Sequence, residues 1–180
     1  MKWDELNLLR EEAVKVFAEN PKKPERKRFE DYMEVVLCLV YDYGWKDAET
    51  IVGIVPFKDG LDDKTVNLEI ANMTFRDRVE EQFNNGSVEG LLRIIETEAH
   101  RDYNTGVQNA AEKSGVKGIR KRWKTMLDPK VRETHSYLEG MTVDLNDRFY
   151  TFDGDSALVP GGFTLPDNNV NCRCVIQLVK

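Results

Sequence analysis

Apolar residues keep two different rhythms along this chain. Up to about Glu112 they recur every three or four positions, the spacing that lines up one face of an α-helix. From Ile119 onward they alternate with polar residues, the spacing of a half-buried strand, and Gly115 and Gly118 stand at the change. A chain that is helical first and extended afterwards does not build the alternating strand–helix units of a parallel sheet. The expected fold class is therefore α+β: N-terminal helices and one long helix followed by a small, mainly antiparallel C-terminal sheet.

The helical part divides further. Leu6, Leu9, Ala13 and Val16 mark a first amphipathic helix that stops at Asn20-Pro21. Phe29, Met33, Val36 and Val40 mark a second over Glu30 to Tyr43, with Gly44 as its expected C-terminal stop, and Trp45 to Val52 reads as a third. Val66, Leu68 and Ile70 alternate as a short strand. Thr74 followed by Asp77 forms a loose capping box ahead of Phe75, Val79 and Phe83. Ser87 is a natural N-cap for the long helix carrying Leu91, Leu92, Ile95 and Ala99. The turn-rich Lys58-Asp59-Gly60 separates a helical N-terminal extension, 1–57, from a second unit, 58–180.

In that second unit Ile119, Lys121, Trp123 and Thr125 alternate with Arg120, Arg122 and Lys124, so a strand puts an aromatic on one face and three cations on the other. Asp128-Pro129 predicts a helix start and Gly140 its stop. Strand or hairpin structure is expected around Val143, Leu145, Phe149 and Phe152, then an irregular Gly/Pro loop from Gly154 to Asn169. A last strand carries Cys172, Cys174, Ile176 and Leu178 on one face.

Composition narrows the function classes. With 41% hydrophobic and 32% charged residues the chain is one that folds. A net charge of -6 excludes a protein whose whole surface coats nucleic acid, which leaves local patches. One is Lys22, Lys23, Arg26, Lys27 and Arg28; the other surrounds Arg120, Lys121, Arg122 and Lys124, which we take as candidate contacts to double-stranded DNA without sequence specificity. No apolar run approaches the ~20 residues that cross a bilayer, so a membrane partner is not expected and a cytoplasmic start is. Three cysteines, two of them one residue apart, make no secreted disulfide framework and read as reduced thiols.

Side chains able to do chemistry are few. Cys172 and Cys174 with His135 or His100 offer metal-ligand types, and His135 with either thiol offers a Cys-His nucleophile pair for a hydrolase, transferase or metal-dependent nuclease. Against this, the C-x-C spacing is narrower than the usual zinc turn, and cysteines alternating with Ile176 and Leu178 read more simply as core. Glu96 and His100 lie one helical turn apart but lack a second matched pair, so a solvated face or an ion pair with Arg93 or Arg101 is expected. No H-E-x-x-H, Walker A, G-x-G-x-x-G or G-x-S-x-G motif is present. The expectation is no catalytic residue, no metal and no cofactor.

Taken in order, Thr97-Glu98 near the end of a long helix, Asn104, Trp123-Lys-Thr125, Asp128, Arg132, His135, Gly140, Phe149, Pro160 and Asn171-Cys172-Arg173-Cys174 resemble the phage head morphogenesis domain, the Mu F-like minor head family. Met73 to Val79 is similar to that family's lead-in, and the likeness covers about 67–179. The resemblance implies a virion protein of phage or prophage, near the portal vertex, acting in head assembly and DNA packaging or ejection. It implies the portal and/or major capsid protein as partners, the host cytoplasm and then the virion interior as location, and no established catalysis. Related domains also front phage toxins, but with Lys180 closing the sequence no toxin cargo is expected. For the shared residues we expect Trp123 to anchor the first C-terminal strand, Asp128 to pair with Arg132, His135 to tie its helix to the loop ending at Asn171, and Asn171 to satisfy loop backbone groups.

Overall fold

The computed structural model describes residues 4–19, 25–56, 69–70 and 72–180. Helix α1 (Asp4–Glu19) and helix α2 (Arg26–Val52) are followed by α3 (Phe75–Asn85) and the long α4 (Val88–Ser114). Strand β1 (Arg120–Lys124), helix α5 (Glu133–Ser136), strands β2 (Thr142–Asp144), β3 (Phe149–Tyr150) and β4 (Ser156–Ala157), helix α6 (Pro166–Asn169) and strand β5 (Val175–Val179) complete the order. The α+β expectation holds. β1 lies at the centre of an antiparallel β2-β1-β5 sheet, with Lys121 opposite Leu178 and Trp123 opposite Ile176, and β3-β4 is a separate hairpin. No helix among the described residues is long and apolar enough to cross a membrane.

Local rules account for both ends of α3 and of α4. Thr74 and Asp77 exchange hydrogen bonds in a complete capping box, Ser87 Oγ accepts from Gly90 N at 3.0 Å, and Gly86 and Gly115 end α3 and α4 in the left-handed conformation. Gly44 departs from its expected role. Instead of stopping a helix it lies buried inside α2, which runs unbroken through the segment expected as a third helix. A Cβ on Gly44 would fall 2.0 Å from Tyr103 O of α4, and one on Gly106 would fall 2.1 Å from Tyr41 O of α2. The two glycines thus let α2 and α4 touch backbone to backbone, a close approach that no larger residue permits. Phe29, Met33, Leu37 and Val40 of α2 join Leu9 and Ala13 of α1 and Leu91 and Ile95 of α4 in a core continuous with the sheet.

Of the expected strand at 66–70, Val66 and Leu68 lie outside the described residues, and Ile70 forms only an antiparallel bridge with Met73. The helix expected from Asp128 to Gly140 contracts to Glu133–Ser136. Asp128 does not cap it. Its Oδ1 takes the Lys130 N–H at 3.0 Å in a tight turn, Leu127 sits at φ 53°, and the segment turns before it coils.

Candidate functional site

The inner face of α4 carries polar residues at helical spacing. Thr97, Arg101, Asn104 and Gln108 are all buried, and each bonds or packs against the irregular C-terminal unit. Thr97 Oγ1 accepts from Asn171 N at 3.2 Å. Asn104 spans β5: its Nδ2 donates to Cys174 O at 3.0 Å and its Oδ1 accepts from Ile176 N at 2.9 Å. Gln108 Nε2 donates to Leu145 O at 2.8 Å, and its Oε1 accepts from Lys121 Nζ at 3.2 Å. Gly161, at φ 86°, passes so close to Arg101 that a Cβ there would lie 2.9 Å from the arginine Cβ. Loop backbone that would otherwise carry unpaired polar groups indoors is satisfied by these side chains.

Behind the clamps lies a buried charge cluster. Glu98 accepts from Arg78 at 2.7 Å and forms an ion pair with Arg101 at 2.5 Å, and Arg101 reaches Asp102 at 3.4 Å. Burial pushes the Asp102 carboxyl up to about 7 against the attraction of Arg101, with Glu98 adding to the rise. A second polar centre organises the loop. Asp155 accepts from Ser156 N, Thr164 N and Leu165 N at 2.8 to 3.1 Å and from Asn168 Nδ2 at 3.2 Å. Burial pushes its pKa up, but these donors outweigh it and hold the carboxyl below its usual range. Asn169 exchanges hydrogen bonds with both backbone groups of Phe163.

The residues picked from sequence fall into three places. Trp123 is fully buried, edge-on to His135 at 5.4 Å and to Phe149 at 5.1 Å, and anchors β1 as expected. Gly140, at φ 76°, donates to Trp123 O at 2.9 Å, closing the turn onto β1. His135 stacks on Phe163 and points Nδ1 at both thiols, 3.6 Å from Cys172 Sγ and 3.5 Å from Cys174 Sγ. All three side chains are buried. A hydrogen bond from Cys174, then one from His135, lowers the Cys172 thiol; the same sulfur–sulfur contact and burial push Cys174 up.

Several pairings differ from expectation. Asp128 pairs not with Arg132 but with Arg173, in a two-pronged bridge at 2.7 and 2.8 Å. Arg132 instead donates to Asp167 O and to Val170 O, the latter at 2.5 Å, holding the short α6 loop. Asn171 works through its backbone at φ 59°, a conformation that Asn tolerates, while its exposed side chain makes no hydrogen bond among the described residues. Glu96 pairs with Arg10 of α1 at 2.6 Å rather than with Arg93 or Arg101, and burial lowers the His100 imidazole.

The basic strand needs the same correction. Arg120 and Arg122 are exposed and Lys124 is half-buried against Glu139 at 2.5 Å, but Lys121 is fully buried. Its ammonium donates to Leu158 O at 2.8 Å and lies over the Phe149 ring, and burial depresses it to about 8. It cannot touch a phosphate. In the other basic cluster Arg26 pairs with Glu30 and Glu80, and Arg28 with Glu12 and Glu25; Lys22 and Lys23 lie outside the described residues. Sequence reasoning missed Arg101, Asp102, Gln108, Asp155 and Asn169. The helical spacing of Thr97, Arg101, Asn104 and Gln108 was the available signal for the first group, and polar residues in a Gly/Pro loop gave little for the second.

These features define a small α+β domain in which one long helix clamps an antiparallel sheet through a stripe of buried polar side chains. The chain belongs to the family described as Phage Mu protein F like protein, which it matches over residues 58–177. It is 38% identical over 90 residues to the NAD(+)--arginine ADP-ribosyltransferase EFV of Enterococcus faecalis (strain ATCC 700802 / V583), covering 49% of this chain and 18% of that protein. It is 30% identical over 84 residues to the minor head protein GP7 of Bacillus phage SPP1, covering 46% of this chain and 27% of that protein. The matched segments thus span well under half of either relative. No solved structure matches the chain.

Proposed function

We propose that the chain is a structural minor head protein of a phage or prophage, acting in head assembly and in DNA packaging or ejection beside the portal or major capsid protein. Family membership over 58–177 carries this reading, and the likeness to a minor head protein supports it. In it, 58–180 is the head morphogenesis domain and 1–57 a helical extension offering surface to the portal, the coat or another copy. The protein works in the host cytoplasm during assembly and then inside the virion. Co-purification with procapsids or portal rings tests it: the chain is expected in both, and its absence from procapsids and mature virions overturns the reading.

DNA contact without sequence specificity belongs to the exposed face of β1. Arg120 and Arg122 lie there beside Thr142 and Gln177, with Asp144 the acidic neighbour across the register. Two phosphate contacts give a log–log salt slope of about -2. A triple Ala variant at Arg120, Arg122 and Lys124 is expected to lose that slope in a retardation assay across a salt series, and unchanged affinity discards the idea. The competing enzyme reading, a Cys-His hydrolase or transferase, draws on the His135 contacts with Cys172 and Cys174. Both sulfurs are buried, which suits a structural role better than attack on a substrate.

A further inference from the structure

His135, Cys172 and Cys174 reach one point from two directions. Trp123 and Phe163 hold the imidazole ring by its faces and edge, and β5 with its lead-in delivers the thiols at alternate positions. The donor atoms lie within 4.8 Å of one another, the one such group of three metal-ligating side chains among the described residues. Both sulfurs approach the same nitrogen, at 3.6 and 3.5 Å. One ring nitrogen thus faces two sulfurs, a set of three soft donors turned toward one point.

The separations suit a single cation held by all three. With zinc–sulfur bonds of about 2.3 Å and zinc–nitrogen bonds of about 2.0 Å at tetrahedral angles, the sulfur-to-nitrogen edge comes to about 3.5 Å. The two observed separations match that edge. A cavity of about 10 Å³, bounded by these three side chains with Arg132, Asn171 and Arg173, adjoins the donors and has room for one water-sized species. From these distances and this cavity we propose that His135 Nδ1, Cys172 Sγ and Cys174 Sγ bind one zinc-class divalent cation, with the fourth position turned to the cavity. This goes against the expectation from the narrow C-x-C spacing: the third ligand comes from His135, thirty-seven positions upstream, which only the fold brings near.

The charges balance. Binding releases two thiol protons to solvent, and two thiolates with one divalent ion make a neutral centre that the nearby guanidiniums do not repel. Arg132 and Arg173 are already engaged, by the Asp167 and Val170 carbonyls and by Asp128. The ion then bolts the lead-in of β5 to the α5 turn.

The test uses the full chain, reduced and stripped of metal by a chelator, titrated with Co²⁺ and then Zn²⁺. One equivalent of Co²⁺ is expected to produce thiolate-to-metal charge-transfer absorption and the strong visible bands of a tetrahedral site, and Zn²⁺ to displace it and raise the melting temperature. Cys174→Ser and His135→Gln should each weaken Co²⁺ binding by at least about tenfold. Cys38→Ser, on the exposed face of α2, should not. A folded wild-type chain that gives no charge-transfer band overturns the proposal whatever the variants do, and so does a band lost only in Cys38→Ser. Neither result touches the proposed role in the phage head, which rests on assembly with procapsids.

Discussion

The α2–α4 pair and the C-terminal unit are held together by opposite means. Between α2 and α4 the contact is mainly apolar and shape-driven: Val40, Tyr41 and Trp45 share a core with Tyr103, Val107 and Ala110, and Gly44 and Gly106 remove side chains where the backbones meet, with hydrogen bonds from Tyr103 to Asp47 and from Asn109 to Tyr41 added to it. Between α4 and the sheet the contact is polar and specific, with Thr97, Asn104 and Gln108 bonding to named backbone groups. The first kind of contact tolerates any residue of the right size. The second tolerates almost none, because each amide fits one donor and one acceptor and leaves both unpaired when removed.

The largest expected effect tests that polar side directly. Asn104→Leu keeps the branched shape but strands Cys174 O and Ile176 N indoors; at about 1–3 kcal/mol for each, a loss of about 4 kcal/mol is expected in urea unfolding. A loss under about 1 kcal/mol would show that water replaces the amide and that the clamp is not what holds β5. Next comes Gly106→Ala, which adds one methyl where the nearest atom is a backbone oxygen that cannot swing away. A loss of about 3 kcal/mol is expected. A neutral result would mean that α2 slides freely on α4, and the contrast between the two interfaces would fail on its apolar side.

Asp102 ties the comparison to pH. Its folded carboxyl sits at about 7, against an unfolded value near 3.8, so the native state holds the proton more tightly. The stability this contributes is fully present below about 3.8 and is lost as pH rises through about 7. Between pH 5 and pH 8 the chain is expected to lose roughly 2 kcal/mol from this group, and Asp102→Asn should flatten that slope. Thermal melts across the range check it. An unchanged slope in the variant assigns the pH dependence to other groups and leaves the buried cluster around Glu98 and Arg101 without a titrating member.

The same division decides what can be read from sequence. Apolar period and caps are local, so α1, the capping box at Thr74 and the Ser87 cap are legible directly. So is the alternation of Cys172, Cys174, Ile176 and Leu178, whose burial follows the expected face. Gly44 is misread because helix termination and close helix approach use the same residue, and only the partner Gly106 on another helix distinguishes them. Lys121 is legible by register, which puts it on the Trp123 face, and illegible by charge, which groups it with Arg120 and Arg122. The partner of Asp128 is not legible: Arg173 lies 45 positions along the chain and nothing local encodes the turn that delivers it, whereas His135 with Cys172 and Cys174 is legible by residue type and only the meeting of both sulfurs at one nitrogen needs the fold.

The smallest predicted effect is the control that gives the comparison its meaning. Leu37 is buried in the α1–α2–α4 core, touches only apolar neighbours in the cluster, and has no polar atom to satisfy. Leu37→Met conserves volume and flexes to fit, so it should cost about 1 kcal/mol or less. It is as buried as Asn104, and Asn104→Leu keeps the branched shape and the heavy-atom count of its side chain. If the two substitutions cost the same, burial alone explains both and the polar stripe of α4 is incidental. If they differ by about 3 kcal/mol, the difference measures the hydrogen bonds that Asn104 makes to the Cys174 and Ile176 backbone.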